Sequence, residues 1–171
     1  CLAVPLADMK AFLRVDSVDS DGLIAGLIAA ACDYVERHTR RTLIYTTYRL
    51  RMDYFPDGPI ELPRSPAVEI TAGGNYAYDM PAVDYFDSVG DETELVWGED
   101  FEVDLAENPP SIYLPPMRYW PLTQPGKSKA VSVDFVAGYG PTPATVPPLL
   151  KQAICLLVGH WFENRSEEHT S

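Results

Sequence analysis

Hydrophobic residues recur at helical spacing at both ends of this chain and at a spacing of two through its middle. That order restricts the fold more than any other feature. A stripe repeating every 3.6 residues and a face repeating every two bury against different kinds of neighbour. Near the start, 6–15 reads as a short helix, with Pro5 suited to a first helical position and Leu6, Met9 and Leu13, flanked by Phe12, forming its stripe. After a polar break at 16–21, a second helix is expected over 21–39, capped by Asp19 or Ser20. Ile24, Ile28, Ala31 and Val35 make one stripe on it, and Leu23, Leu27, Ala30 and Tyr34 a second. Ala25, Gly26, Ala29 and Ala30 are small enough to let another helix approach closely. Arg37, His38, Arg40 and Arg41 gather at its end, where positive charge complements the helix dipole.

The period then changes. Tyr48, Leu50, Met52 and Tyr54 alternate with polar residues, which predicts a half-buried strand. Pro56-Asp57-Gly58-Pro59 is a turn, and further strands are expected at Ile60 and Leu62, at Val68 and Ile70, at Phe101, Val103 and Leu105, at Ile112 and Leu114, and at Val131, Val133 and Phe135. Between them, 75–100 is acidic and aromatic and reads as a long loop or loose hairpin. Gly138-Tyr139-Gly140 reads as a strand-to-helix turn. The last helix is expected over 146–165, with Thr145 as cap and Pro147 and Pro148 in its first turn. Leu150, Ile154, Leu157 and Trp161 are its core face, so Trp161→Ala should cost several kcal/mol. Ala153, Leu156, His160 and Phe162 widen that face past a single stripe, a pattern normal for helices buried on more than one side. The polar tail 166–171 is expected to fray. The fold class is therefore α+β: a helical core, 5–41 and 145–165, with an inserted antiparallel β-sheet or barrel-like region at 42–140, in one domain over 1–171.

The net charge of −12 is placed unevenly. Between Arg64 and Arg118 there are twelve acids and no base, while the flanks balance at thirteen of each. Such a middle repels nucleic acid. The three cysteines, Cys1, Cys32 and Cys155, match neither a zinc site nor a disulfide framework, and fit small buried hydrophobes in a reducing compartment. No secretory leader or membrane-length apolar run is visible, and a start at Cys1 leaves room for residues upstream. Asp100, Glu102 and Asp104 share one strand face and could hold a divalent ion in an enzyme, but no glycine-bearing calcium loop and no histidine accompany them. A solvated strand face is the plainer account. His38, His160 and His169 lack a nucleophile motif, so no catalytic, cofactor or metal residues are assigned. Arg37, Arg40 and Arg41 could touch phosphates, although local pairs with Asp33 or Glu36 explain them as well. One reading of the acidic middle is an inhibitor that mimics DNA and competes for a nucleic-acid-binding enzyme.

Two ordered sets of residues suggest another. The first runs from Leu6-Ala-Asp-Met-Lys-Ala-Phe-Leu-Arg-Val-Asp16 into the helix at 21–39. The second is Phe135-Val-Ala-Gly-Tyr-Gly140, then Val146-Pro-Pro-Leu-Leu-Lys-Gln-Ala-Ile154 and His160-Trp-Phe-Glu-Asn-Arg165. With the Thr-Tyr-Arg-Leu strand and the Leu-Pro-Arg-Ser-Pro segment between them, they resemble the head–tail connector, or adaptor, family of long-tailed phages and prophages. The acidic stretch 75–100 looks longer than that family's pattern. The resemblance implies a non-enzymatic structural protein without cofactors in the virion neck, assembled in the host cytoplasm. It implies a ring, usually of twelve copies, docked to the portal on one side and to a stopper or tail-completion protein on the other. DNA would pass through its channel without sequence-specific binding, and no membrane is involved. On that reading His160, Trp161, Phe162, Glu163, Asn164 and Arg165 are candidates for the portal interface. Asp84, Asp87, Asp91, Glu92, Glu94 and Glu99 are candidates for an acidic lumen or a subunit interface.

Overall fold

A computed structural model describes residues 3–68 and 81–167, with side chains to Asn164. Readings that fall on Cys1, on 69–80 and on 168–171 lie outside the described residues, as do those on the side chains of 165–167. The chain forms two compact units, Cys1–Tyr45 with Tyr139–Ser171, and Thr46–Gly138.

The first unit holds α1 (Leu6–Leu13), α2 (Asp21–Thr39) and α3 (Pro148–Glu167). Helix α1 stops two residues short of the expected end. Arg14 turns left-handed at φ 57°, and the N–H groups of Arg14 and Val15 bond back to the Ala11 and Lys10 carbonyls. Pro5 stands outside the helix as its N-cap, not at its first position. The polar break contains a 3₁₀ turn, Val18–Ser20, and the Ser17 hydroxyl accepts from the Asp19 N–H. Ser20 is the N-cap of α2 but makes no capping hydrogen bond, so the expected side-chain cap is not used. Instead Lys10 Nζ donates to Ser17 O at 3.0 Å and to Asp21 Oδ1 at 2.6 Å, tying α1 to the start of α2.

Met9, Ile24, Ile28, Ala31, Cys32, Val35, Ile154 and Val158 form the centre of this unit's core. The second stripe of α2 lies at its border: Leu23 and Leu27 are half-buried, while Ala30 and Tyr34 are exposed. The small residues do not receive a helix. Gly26, Ala29 and Ala30 face outward, and a Cβ at Gly26 would meet nothing within 4 Å. Burial favours the face with more apolar area, and that is the isoleucine face. Close approach occurs on α3, where a Cβ at Gly159 would lie 3.4 Å from the Phe12 ring. Helix α3 begins at Pro148, because Pro143–Thr145 forms a separate 3₁₀ turn and the Thr145 hydroxyl donates to Thr142 O rather than capping the helix.

Among the described residues, the regular elements of the second unit are all strands. Strands β1 (Thr46–Met52), β8 (Val131–Ala137), β4 (Ala82–Phe86) and β5 (Glu92–Leu95) lie side by side in that order, with β3 (Ala67–Val68) against the end of β8. A second sheet has the order β2 (Ile60–Glu61), β7 (Ser111–Tyr113), β6 (Glu102–Asp104). Among the described residues, the ladders between these strands are antiparallel. Both sheets contribute to one core, with Phe101, Ile60 and Ile112 from the smaller sheet's side and Val83, Val133 and Phe135 from the larger. The chain is thus α+β with an inserted antiparallel region.

The stretch read as a long loop or loose hairpin is the main departure. From Pro81 on it forms the β4–β5 hairpin, and β4 pairs with the central strand β8. Val83 and Leu95 point into the core while Asp84, Glu92 and Glu94 do not, so the acids hid a period of two. The hairpin is turned by Asp87, whose Oδ1 accepts from the N–H groups of Val89, Gly90 and Asp91 at 2.9–3.0 Å. Gly90, at φ 101°, supplies the left-handed residue.

Candidate interaction surfaces

Helix α3 shows three kinds of position around its axis. Ile154 and Val158 are buried; Leu150, Leu157, Trp161 and Phe162 are half-buried against the same core. Leu149 and Leu156 are 80% and 58% exposed. The core face is therefore centred on Ile154 and Val158, and Trp161 lies at its margin rather than in it. Leu149, Ala153, Leu156 and His160 follow one another at helical spacing along an outer stripe. Beside it runs a groove of about 470 Å³ between α2 and α3, lined chiefly by Tyr34, Val35, His38, Leu150, Ala153 and Leu156. Tyr34 stacks on His38, with centroids 5.8 Å apart, and meets Trp161 edge-on at 6.4 Å. Of the expected portal residues, His160, Glu163 and Asn164 are exposed, and Asn164 Nδ2 lies 3.0 Å from the His160 ring. Trp161 and Phe162 are partly spent on the core, and the Arg165 side chain is outside the described residues.

The arginines at the end of α2 do not converge on one point. Arg37 pairs with Asp33 at 2.9 Å, Arg41 Nη1 donates to the Tyr139 hydroxyl at 2.7 Å, and Arg40 is the exposed, left-handed C-cap. Glu36 Oε1 accepts from the Leu43 N–H at 2.7 Å. The Gly138-Tyr139-Gly140 turn is held locally too: Tyr139 N–H donates to Leu43 O and Tyr45 N–H to Gly140 O. A Cβ at Gly140 would come within 2.2 Å of Thr145 Oγ1, so that position needs glycine.

The second unit contains sixteen acids against six bases, so it carries most of the net charge. Asp87 is committed to its turn. Asp91, Glu92, Glu94 and Glu99 are exposed, and Asp84 is half-buried. Burial, with Glu94, Asp134 and Glu92 adding to it, pushes the Asp84 carboxyl above the usual carboxylate range. The trio considered for a metal has other partners. Asp100 Oδ2 accepts from Val96 N–H, Glu102 accepts from the Tyr113 hydroxyl, and Asp104 accepts from the N–H groups of Ala106 and Glu107. The bond to Glu102 raises the Tyr113 phenol above its ordinary pKa. Among the described residues no three His, Cys, Asp or Glu side chains are grouped to hold a metal ion. Burial raises the Cys32 and Cys155 thiols, which makes them poor nucleophiles.

One surface was not legible as such. Phe55 lies flat on Trp120, 4.8 Å between centroids, and Trp120 Nε1 donates to Gly58 O at 3.2 Å. They line a cleft of about 600 Å³ with Pro56, Pro59, Pro115 and Pro121. Tyr54, Met117, Tyr119 and Leu122 stand exposed in the same segments. The signal was the pairing of Pro56-Asp57-Gly58-Pro59 with Trp120-Pro121, which local reading reduces to two turns. Grouped exposed apolar side chains of this size mark interaction surfaces.

The sequence profile of phage gp6-like head–tail connector proteins matches residues 4–95. Among solved structures, the chain is similar to one in the neck of an empty gene transfer agent (GTA) particle computed with C6 symmetry. Identity there is 24%, over 94% of this chain and 78% of that one, with a TM-score of 0.71. It is also similar to a chain in the neck of the native GTA particle computed with C12 symmetry, at 25% identity over 94% and 77%, with a TM-score of 0.70. A third match, from the virion of the native particle, is 24% identical over 94% and 78%, with a TM-score of 0.72. No curated protein matches.

Proposed function

The chain belongs to the phage gp6-like head–tail connector family, and from that premise we propose that it is the subunit of a closed neck ring, twelve copies in number, between a portal and a stopper or tail-completion protein. Its role as a structural connector follows from the family. The ring, its partners and the passage of DNA are the reading offered here. The observation that carries it is the likeness over 94% of the chain to a protein in a neck computed with C12 symmetry. Assembly takes place in the host cytoplasm, and the finished ring is part of the virion.

The geometry supports separate tasks for the two units. Head-to-tail contacts that close into a ring require two unlike patches on each copy. The exposed end of α3, at His160, Glu163 and Asn164, is offered as the portal contact. The acidic β unit keeps DNA from adhering to the channel, because phosphates approaching within about one Debye length, ~8 Å at physiological salt, are repelled. No catalytic step is assigned. Electron microscopy of the purified protein, alone and mixed with portal, tests the reading. Closed rings or portal-bound rings are expected. A protein that stays monomeric and ignores portal at several salt concentrations would refute it.

A further inference from the structure

The outer face of the three-stranded sheet is acidic and leads into the aromatic cleft. Side chains alternate between faces along a strand. Ile60, Ile112 and Val103 pack into the β core, so Glu61, Ser111, Tyr113, Glu102 and Asp104 take the opposite face. The pairing registers set them in two rows, Glu61–Ser111–Asp104 and Tyr113–Glu102. Glu107 joins them, since its Oε2 accepts from the Ser111 hydroxyl at 3.1 Å. All four acids are exposed, and these three strands hold no Lys or Arg. Hydrogen bonds position the carboxylates and leave their charge in place. Glu102 accepts from the Tyr113 hydroxyl at 3.0 Å, and Asp104 from two backbone N–H groups.

Tyr113 is where the two surfaces meet. It stands on the acidic face and also lines the cleft of Phe55 and Trp120. The buried Phe55 ring is held from two sides, flat on Trp120 and edge-on to Tyr85 at 5.6 Å, so the floor of the cleft is preformed. Tyr54, Tyr119 and Leu122 stand exposed around it. Among the described residues the lining holds one acid, Asp57, and one base, Arg118, whose Nη1 lies 4.0 Å from Asp100. Lys127 borders Tyr54 in the adjoining hollow and sits 3.3 Å over the Phe86 ring. The cleft is thus apolar, its nearby cations are engaged, and Tyr113 links it to the acids.

Shape and charge then select a partner. Pro56, Pro59, Pro115 and Pro121 line the cleft, and proline has no backbone N–H to give to an added strand. A ligand there is held by ring faces and not by a ladder. A proline-containing segment in the polyproline conformation suits such walls, because it needs no backbone partners and is extended before it binds. Its charge is set by what it meets next. Residues that run past Tyr113 lie against Glu61, Glu102 and Asp104, where Lys or Arg is attracted and Asp or Glu repelled. The aromatic faces at the mouth favour the same sign.

We propose that the cleft and the acidic sheet beside it form one docking surface for an extended segment of another protein. Proline and leucine of that segment seat on Phe55, Trp120 and Tyr119, and its lysine or arginine lies over Glu61, Glu102 and Asp104. The segment is therefore apolar at one end and cationic at the other, and its docking is separate from whatever closes the ring.

The test titrates the full chain into two fluorescein-labelled peptides, one of Leu-Pro-Pro-Leu-Pro-Pro followed by three lysines and a twin ending in three glutamates. Fluorescence anisotropy reads binding at low salt and at ~1 M salt. The lysine peptide should bind about tenfold or more tightly than its twin, and high salt should narrow the difference. Tyr119→Ser and Leu122→Ser should each weaken the lysine peptide severalfold. Their side chains are 89% and 83% exposed, so folding is untouched. Glu61→Gln with Glu102→Gln should bring the two peptides closer in affinity, and the amide oxygen at 102 keeps an acceptor for the Tyr113 hydroxyl. No binding of the lysine peptide at ~1 mM chain, equal binding of both peptides, or binding that ignores all four substitutions overturns the proposal. A chain that binds neither peptide but self-associates through Tyr119 and Leu122 also overturns it, since the cleft then takes a second copy. Rings formed with portal in any of these cases leave the ring reading standing, and lysine-peptide binding by a chain that forms no ring leaves this surface standing alone.

Discussion

Ile154 and Leu156 lie two residues apart on α3, one with no exposed surface and the other 58% exposed. Ile154→Ala removes three buried carbons. At ~0.8 kcal/mol for each, the transfer term is about 2.4 kcal/mol. Val158, Ile28 and their neighbours in the helical core are held by two other helices and collapse only in part, so a cavity term raises the total to about 3–4 kcal/mol. Leu156→Ala removes side-chain atoms that are mostly in water, and should change stability by less than ~0.5 kcal/mol. For a chain of this size each kcal/mol lowers the unfolding midpoint by about 2–4 °C. The Ile154 variant should therefore unfold about 6–16 °C below wild type and the Leu156 variant within about 2 °C of it. Far-UV circular dichroism on heating measures both, because it follows the helical unit. If Ile154→Ala costs less than ~1 kcal/mol, or the two variants fall by the same amount, the division of α3 into a core face and an outer apolar stripe is wrong.

Three further outcomes follow from individual contacts. The folded Asp84 carboxyl titrates above its unfolded value, so the stability it lends is full below the ordinary carboxylate pKa of ~3.9 and is lost as pH rises through the folded value. Asp84→Asn should therefore raise the urea midpoint at pH 7, with the gain shrinking toward pH ~4; a gain that grows on acidification would contradict the assignment. Asp87→Ala removes the carboxylate that accepts from three hairpin N–H groups, of which Gly90 alone keeps a second acceptor in the Asp87 carbonyl, and should cost about 1–2 kcal/mol in chemical denaturation, an effect absent if that turn is held by backbone alone. Trp161→Ala should cost about 2 kcal/mol in the same measurement, roughly half the usual core value, because the indole sits at the edge of the helical core.

The helical ends and the strand alternation were legible because each is written in the local spacing of apolar residues. Helix α2 was read to its observed bounds, and Tyr48, Leu50 and Met52 were placed on the inner face of β1, where they pack against the core. Asp100, Glu102 and Asp104 alternate as the spacing of two predicts, and each accepts from the hydrogen-bond donors described above. Other features needed three dimensions. The β4–β5 hairpin escaped because its inward positions are few, Val83, Tyr85 and Leu95, and strongly acidic outward positions masked the alternation. The cleft around Phe55 and Trp120 joins segments more than sixty residues apart, so no local pattern contains it.

What the sequence determined by itself was the order of elements, the uneven charge and the family pattern. All three are properties of residues in line. Which face of α2 is covered, where α3 turns its surplus leucines, and how the acids of β2 and β6 come to share a face with Tyr113 were decided by the tertiary structure. The physical reason is that burial and cross-strand register depend on partners distant in sequence. Glu61 and Glu102 share a face because β2 and β6 both pair with β7, and no spacing along the chain reports that relation.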